Sequence, residues 1–142
     1  MSTLLVDTSV LIKWFHATGE AELEAARSLR SAQIAGTIDA RILDLGVYEV
    51  GNVLVRSLGW PAADVAEQLD DLLALCGVPL VLSAEWLHDA ATLAAEHRLT
   101  FYDAAWAAAA RGLGVPLVSA DRQLLDVSLA ESPSRIVERI RL

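Results

Sequence analysis

The sequence has little cysteine, little lysine and no long apolar run, and each shortage excludes a class of protein. The single cysteine, Cys76, cannot form an intrachain disulfide, and we expect it to fill space in the core. The longest wholly apolar stretch, Ala104 to Ala110, falls far short of the about 20 residues that a membrane span needs. The start of the chain lacks basic residues, and Asp7 interrupts its first apolar run, which argues against a signal peptide. We therefore expect a cytoplasmic protein that does not enter a membrane.

Positive charge is also scarce. The formal net charge is −8, and only 11 of the 142 residues are Lys or Arg. Because affinity for phosphates comes mainly from basic side chains, this composition argues against a passive nucleic-acid binder. The length, with a hydrophobic content of 54%, predicts one domain over residues 1–142 with a sizeable core.

Short apolar segments alternate with segments of helical periodicity, which predicts an α/β fold with a parallel sheet. The predicted strands are Leu4–Val6, Ile42–Leu43, Leu80–Leu82, Val115–Val118 and, at an edge, Ile136–Val137. The first helix is expected to be capped by Thr8 or Ser9. The helices predicted after it are Glu20–Ala35, Gly46–Leu58, Ala62–Cys76, Ala84–His97, Thr100–Leu113 and Arg122–Val127.

Four acids are expected to meet at one edge of this sheet. Asp7 and Asp121 follow two of the predicted parallel strands, and Asp103 and Glu49 lie near the starts of helices. The carboxyl ends of parallel strands face the ligand crevice in open α/β sheets. Converging carboxylates repel one another, and a hard divalent cation such as Mg²⁺, which prefers oxygen ligands, relieves that repulsion. Such a cation would also let an acidic protein engage a phosphate.

The residues around these acids resemble the successive motifs of PIN-domain ribonucleases, and the length and motif order resemble the VapC toxins of toxin–antitoxin pairs. The matching segments are Val6–Ser9, Tyr48–Leu54, Thr100–Ala104 and Ser119–Arg122. The resemblance implies a three-layer sandwich with a central, mostly parallel sheet of four to five short strands flanked by helices. It also implies an Mg²⁺- or Mn²⁺-dependent endoribonuclease that cleaves RNA, forms a homodimer and is inhibited by a VapB-type antitoxin.

The resemblance further implies roles for individual residues. Asp7 and Asp103 would bind the metal directly, Glu49 and Asp121 would complete the acidic cluster largely through water, and Ser119 would contact metal-bound water or phosphate. Two further candidates come from the helical spacing alone, because Asn52 and Arg56 share a polar stripe with Glu49. Asn52 would orient Glu49 from one turn away, and Arg56 would contact a substrate phosphate.

Other interpretations stay open. Asp103 also fits as the acidic partner of a Thr100 capping box. Asp7 also fits as the nucleophile of a phosphatase, although phosphatases of the haloacid dehalogenase type have a second acid two residues later, where this chain has Ser9. A non-catalytic interaction module would use the apolar surface around Trp14, Phe15 and Trp60 to bind a partner helix. For Trp14, Phe15, Trp86 and Trp106, burial in the core or a dimer is favoured over stacking on bases.

Overall fold

The computed structural model describes residues 1–16 and 21–142 of the chain. The strands are β1 (Ser2–Val6), β2 (Ile38–Arg41) and β3 (Leu117–Val118). The helices are α1 (Thr8–Phe15), α2 (Leu23–Ala35), α3 (Asp44–Asn52), α4 (Ala62–Cys76), α5 (Ala84–His97), α6 (Phe101–Leu113), α7 (Arg122–Asp126) and α8 (Pro133–Ile140), and a π-helical turn over Val53–Ser57 continues α3. The predicted start of the second helix at Glu20 lies outside the described residues.

A small parallel sheet lies at the centre of the fold, in the strand order β2-β1-β3. Leu4 of β1 pairs with Ala40 of β2, and Leu5 pairs with Leu117 of β3. Leu4, Leu5 and Val6 are at most 1% exposed, because helices cover both faces of the strand. The predicted α/β class is confirmed, and β1 is the strand on which the other two align.

The number and placement of the strands differ from the prediction. In the described parts of the chain the sheet has three strands rather than four to five. Single parallel bridges extend it at each edge, from Leu43 to Leu80 and from Val118 to Glu131. The segments predicted as strands around Ile42 and over Leu80–Leu82 therefore contribute only one bridge between them, and the ladder strand lies earlier, at Ile38–Arg41. The predicted strand Val115–Val118 is regular only at its last two residues.

The alanine-rich helix α6 is buried along most of its length. Every residue from Ala104 to Ala110 is at most 4% exposed, and the small side chains let α5 pack closely. At Gly112 the approach is closest, because an added Cβ would lie 2.1 Å from Nε1 of Trp86. The burial of Trp14 and Trp106, at 1% and 2% exposure, confirms their predicted place in the core, and Trp14 is therefore no part of an exposed docking surface.

Three helix ends depart from the prediction. Asp7 caps α1 in place of Thr8 or Ser9, since its side chain accepts from the backbone N–H of Ser9. The predicted helix Gly46–Leu58 begins two residues earlier and ends in the π-helical turn.

The predicted edge strand Ile136–Val137 is part of helix α8. Pro133 begins this helix, because proline at the first helical position gives up only an N–H that would have no partner there. Ser132 caps the same end by accepting from the N–H of Arg135 at 3.3 Å. No helix within the described stretches combines the length and apolarity needed to cross a bilayer.

Candidate active site

Asp7 lies where β1 ends and α1 begins, and its carboxylate is only 4% exposed. Oδ1 accepts from the Ser9 N–H at 3.1 Å and from the Ser9 hydroxyl at 2.5 Å. Burial raises the pKa of Asp7 to about 6, hydrogen bonds from Ser119, Ser9 and Val10 partly offset that effect, and the charge of Asp121 adds to it. A carboxylate this deeply buried is costly to keep ionised without a cation beside it.

Asp121 is the N-cap of α7, as Asp7 is the N-cap of α1, and it lies three residues after the end of β3. Its side chain caps α7 by accepting from the Gln123 N–H at 2.8 Å. The Ser9 hydroxyl joins the two strand ends, because Ser9 Oγ accepts from Ala120 N at 2.9 Å. Ser119 Oγ accepts from Asp121 N at 3.0 Å, a bond within the loop that follows β3. Ser119 is fully buried, so it fixes the loop that carries Asp121. The linking role of Ser9 had no signal in the sequence beyond its place after Asp7.

Glu49 reaches the same edge from α3, and two donors hold one of its oxygens. Thr8 Oγ1 donates to Oε1 at 2.9 Å, and the indole N–H of Trp106 donates to the same oxygen at 3.4 Å. Oε2 is left as the acceptor that these two bonds do not use. Neither Thr8 nor Trp106 was predicted from the sequence as a partner of Glu49. Their only signal was proximity in sequence to Asp7 and Asp103.

Asp103 lies in the first turn of α6, and it is half-buried. Burial raises the pKa of Asp103, and the charges of Asp121 and Glu49 raise it further, whereas a hydrogen bond with the Thr100 side chain lowers it. Thr100 does cap the helix, accepting from the Asp103 N–H at 3.1 Å, as the capping interpretation expects, and the metal-binding role of Asp103 stays a prediction. The charges of Asp121 and Glu49 raise the pKa of Asp103, and the charge of Asp121 also raises the pKa of Asp7. The four acids therefore form one electrostatic group.

Asn52 and Arg56 are placed differently from this group. Both are exposed, and the hydrogen bonds that Glu49 receives come from Thr8 and Trp106 rather than from Asn52. The π-helical turn at Val53–Ser57 is wider than an α-helical turn. Arg56 lies within this turn, where the α-helical spacing that predicted its stripe does not apply.

The donor chemistry of the group fits a hard divalent cation. All four side chains are carboxylates, and burial is the main cause of the raised pKa values of Asp7 and Asp103, so a bound cation would stabilise their ionised forms. Within the described ranges no three His, Cys, Asp or Glu side chains are spaced to hold an ion by themselves. Mg²⁺ does not need three protein ligands, since it usually keeps several waters and takes one or two carboxylates together with substrate phosphate oxygens.

A small parallel sheet with helices on both faces and acids at its carboxyl edge defines an α/β domain with a candidate acidic active site. The model of the PIN domain family matches residues 4–129. The chain belongs to the PIN-domain family, and the predicted resemblance to its VapC members is confirmed.

Two curated relatives come from Pyrobaculum aerophilum. Ribonuclease VapC3 is 35% identical over 127 residues, which span 87% of this chain and 92% of the relative. Exonuclease VapC9 is 37% identical over 84 residues, which span 59% of this chain and 63% of the relative.

Two solved structures share the fold. The crystal structure of the Pyrobaculum aerophilum protein PAE2754 superposes with a TM-score of 0.69 at 29% identity, covering 99% of this chain and 97% of that one. A toxin–antitoxin complex from Klebsiella pneumoniae has a TM-score of 0.63 at 19% identity, covering 92% and 97%, and it indicates the shared fold alone.

Proposed function

We propose that this protein is a divalent-metal-dependent endoribonuclease, folded as a single PIN domain over residues 1–142, and that it is the toxin of a toxin–antitoxin pair. The observation that carries the proposal is the electrostatic group of Asp7, Glu49, Asp103 and Asp121 at the carboxyl edge of the sheet. Membership of the PIN-domain family, with a relative named Ribonuclease VapC3, supports RNA as the substrate.

In this proposal Asp7 and Asp103 bind Mg²⁺ or Mn²⁺ directly, and Glu49 and Asp121 act through water. When bound, the ion lowers the pKa of a coordinated water and neutralises charge on the phosphate. Glu49 Oε2 accepts a proton from the attacking water while Thr8 and Trp106 hold Oε1. The water oxygen bonds to phosphorus, the bond from phosphorus to the leaving ribose oxygen breaks, and that oxygen takes up a proton from solvent.

The supporting residues have narrower roles. Ser119, which is buried, holds the Asp121 loop by accepting from the Asp121 N–H. Arg56 is exposed and stays our candidate for a contact to a more distant phosphate, and Asn52 stays a candidate for a contact at the rim of the site. We further propose a homodimer and inhibition by a VapB-type antitoxin, both of which rest on the family.

The decisive test is cleavage of a circular single-stranded RNA, because an exonuclease has no end to attack. Purified protein with Mg²⁺ should linearise the circle, EDTA should abolish the cut, and Asp7→Asn and Asp103→Asn should each lower the rate by at least about a hundredfold. Asp126→Asn, an exposed acid on α7, is the matched control and should cut at the wild-type rate. If the circle stays intact while linear RNA is shortened from its ends, the endonuclease assignment is wrong. If Asp7→Asn cuts as fast as the wild type, the site assignment is wrong.

The phosphatase alternative gains no support from the site, since the second acid it needs is replaced by Ser9, whose hydroxyl donates to Asp7. Trapping a phosphoryl group on Asp7 would restore it. Sedimentation of the protein alone would test the homodimer. Sedimentation after co-expression with the product of the neighbouring gene would test the antitoxin.

A further inference from the structure

Two arginines line a groove between α7 and the start of α8, in a chain whose net charge is −8. Its volume of about 620 Å³ is large enough to hold a nucleotide. The polar residues that line the groove are Glu22, Arg122, Ser128, Glu131, Ser132 and Arg135. We call this surface the arginine groove.

The arginine groove continues the carboxyl edge of the sheet beyond Asp121. A parallel bridge from Val118 to Glu131 places the chain at Glu131 one strand spacing, about 5 Å, from β3. Because the bridge is parallel, the chain leaves it at the same edge as β3 does, and α8 begins there. Arg122 directly follows Asp121 at the start of α7, and Arg135 lies in the first turn of α8. Both arginines therefore lie at the edge that carries the acids of the candidate site.

The two acids in the groove already have partners. Glu22 accepts from Ser134 with both oxygens, from the backbone N–H at 2.9 Å and from the hydroxyl at 2.8 Å. Glu131 is shared by two arginines, because its Oε2 accepts from Arg139 at 2.8 Å and its Oε1 lies 3.6 Å from Nε of Arg135. The carboxylates therefore leave part of the positive charge of this surface without a counter-ion.

Arginine nitrogens are left for a ligand. The side chain of Arg135 is 75% exposed, and its ion pair with Glu131 uses Nε, so Nη1 and Nη2 point to no acid. In the part of the chain that the structure describes, the Arg122 guanidinium forms no hydrogen bond or ion pair. The planar fork of a guanidinium group matches two oxygens of a phosphate, which makes arginine a strong phosphate ligand.

We propose that Arg122 and Arg135 form a second phosphate site, which binds an RNA phosphate next to the one that is cut. This inference rests on the proposed function, because it takes the cut phosphate to lie at the acidic group. The cation there would neutralise that phosphate, but the flanking phosphates would still meet an acidic chain and need positive charge of their own. RNA suits the groove better than an acidic peptide does, because only RNA would be held at the neighbouring acids as well.

The test measures binding of a short, fluorescently labelled single-stranded RNA by anisotropy, over a range of salt concentrations. The background is Asp7→Asn with Mg²⁺, so that cleavage does not interfere. Adding Arg122→Gln and Arg135→Gln should weaken binding by roughly tenfold to a hundredfold. The slope of log K against log salt should also become shallower by roughly 0.7, which is the value for one phosphate contact on a single strand. The midpoint of urea unfolding should stay the same, because an exposed ion pair adds little stability.

Two further pairs of substitutions separate the cause of the loss. Arg122→Lys with Arg135→Lys should keep the salt slope, because the charge remains, and should weaken binding less than the Gln pair, because only the fork is lost. Arg27→Gln with Arg111→Gln removes two charges from exposed arginines outside the groove. This control pair should keep both the affinity and the slope of the background protein.

The outcomes distinguish this inference from the proposed function. If Asp7→Asn alone cuts RNA as fast as the wild type, the proposed function fails, whatever the arginines do. If Asp7→Asn is inactive and the Gln pair binds RNA with the affinity and slope of the background, the second phosphate site alone is overturned. Equal losses in the Gln pair and the control pair would reduce the effect to net charge and would also overturn it. So would a Gln pair that keeps RNA binding and instead loses binding to a co-expressed protein.

Discussion

Replacing the buried carboxylate of Asp7 by an amide should stabilise the metal-free protein near neutral pH. Burial raises the pKa of Asp7 from 3.8 to about 6, so the folded state favours the neutral acid and is penalised once that acid ionises. A shift of this size corresponds to about 3 kcal/mol. Asn keeps the oxygen that accepts from Ser9 and removes the charge.

The sign of the effect follows from linkage between pH and folding. Because the folded pKa is the higher one, the favourable contribution of the protonated acid is complete below about pH 3.8, and it is lost as the pH rises to about 6. Asp7→Asn should therefore match the wild type near pH 4 and exceed it by about 1 to 3 kcal/mol at pH 7.5, the lower figure allowing for imperfect hydrogen bonding of the new amide.

Urea unfolding in EDTA at the two pH values measures this difference, with Asp70→Asn on the exposed side of α4 as the control that should leave stability unchanged. Adding Mg²⁺ at pH 7.5 should stabilise the wild type and not Asp7→Asn, because a ligand that binds only the folded state raises its stability. If Asp7→Asn were no more stable than the wild type at pH 7.5 in EDTA, the account of Asp7 as a buried, uncompensated charge would be refuted.

Three further changes test other parts of the structure. Thr8→Val removes a hydrogen-bond donor to Glu49 with little change in shape, so the rate of RNA cleavage should fall about tenfold while the midpoint of urea unfolding stays the same. The control Thr92→Val on α5 should change neither the cleavage rate nor the unfolding midpoint. Gly112→Ala should destabilise the fold by about 1 to 3 kcal/mol in urea unfolding, since its Cβ would collide with the Trp86 side chain. The control Gly51→Ala should not destabilise the fold, because its Cβ would make an ordinary 3.6 Å contact. Equal effects of the two substitutions would contradict the close packing of α5 on α6. Cys76 is buried and its thiol pKa is raised to about 12, so a thiol reagent at pH 8 should modify it only as fast as the protein unfolds, and rapid labelling of folded protein would contradict its burial.

The helices that could be predicted to the residue are those with strong local signals at their ends. Helix α4 starts after Pro61 and stops at Gly77, and α5 starts after a serine cap, so its first residue follows from Ser83 alone. Strand β2 had no such signal, because its four residues, Ile38 to Arg41, owe their extended state to pairing with β1. The prediction of an edge strand at Ile136–Val137 was wrong, because Pro133 and the Ser132 cap begin a helix there.

At the candidate site, the four acids could be identified from the sequence, but the side chains that hydrogen-bond to them could not. The order of Asp7, Glu49, Asp103 and Asp121 could be compared with a known family, and their role as one metal site stays a prediction. The bonds from Thr8 and Trp106 to Glu49 join residues 41 and 57 positions apart, and no periodicity encodes such contacts. The π-helical turn that contains Arg56 could not be predicted either, since its residues, Val53 to Ser57, suit an α-helix as well.

The hydrogen bond from Ala120 to the Ser9 hydroxyl has a consequence for how the protein is made. These residues are 111 positions apart, and β1 gains its β3 neighbour only through the same late segment. A growing chain on the ribosome therefore cannot bring Asp121 to Asp7 until synthesis has passed α7. Any activity that needs both acids starts only after the segment that carries Asp121 has been made.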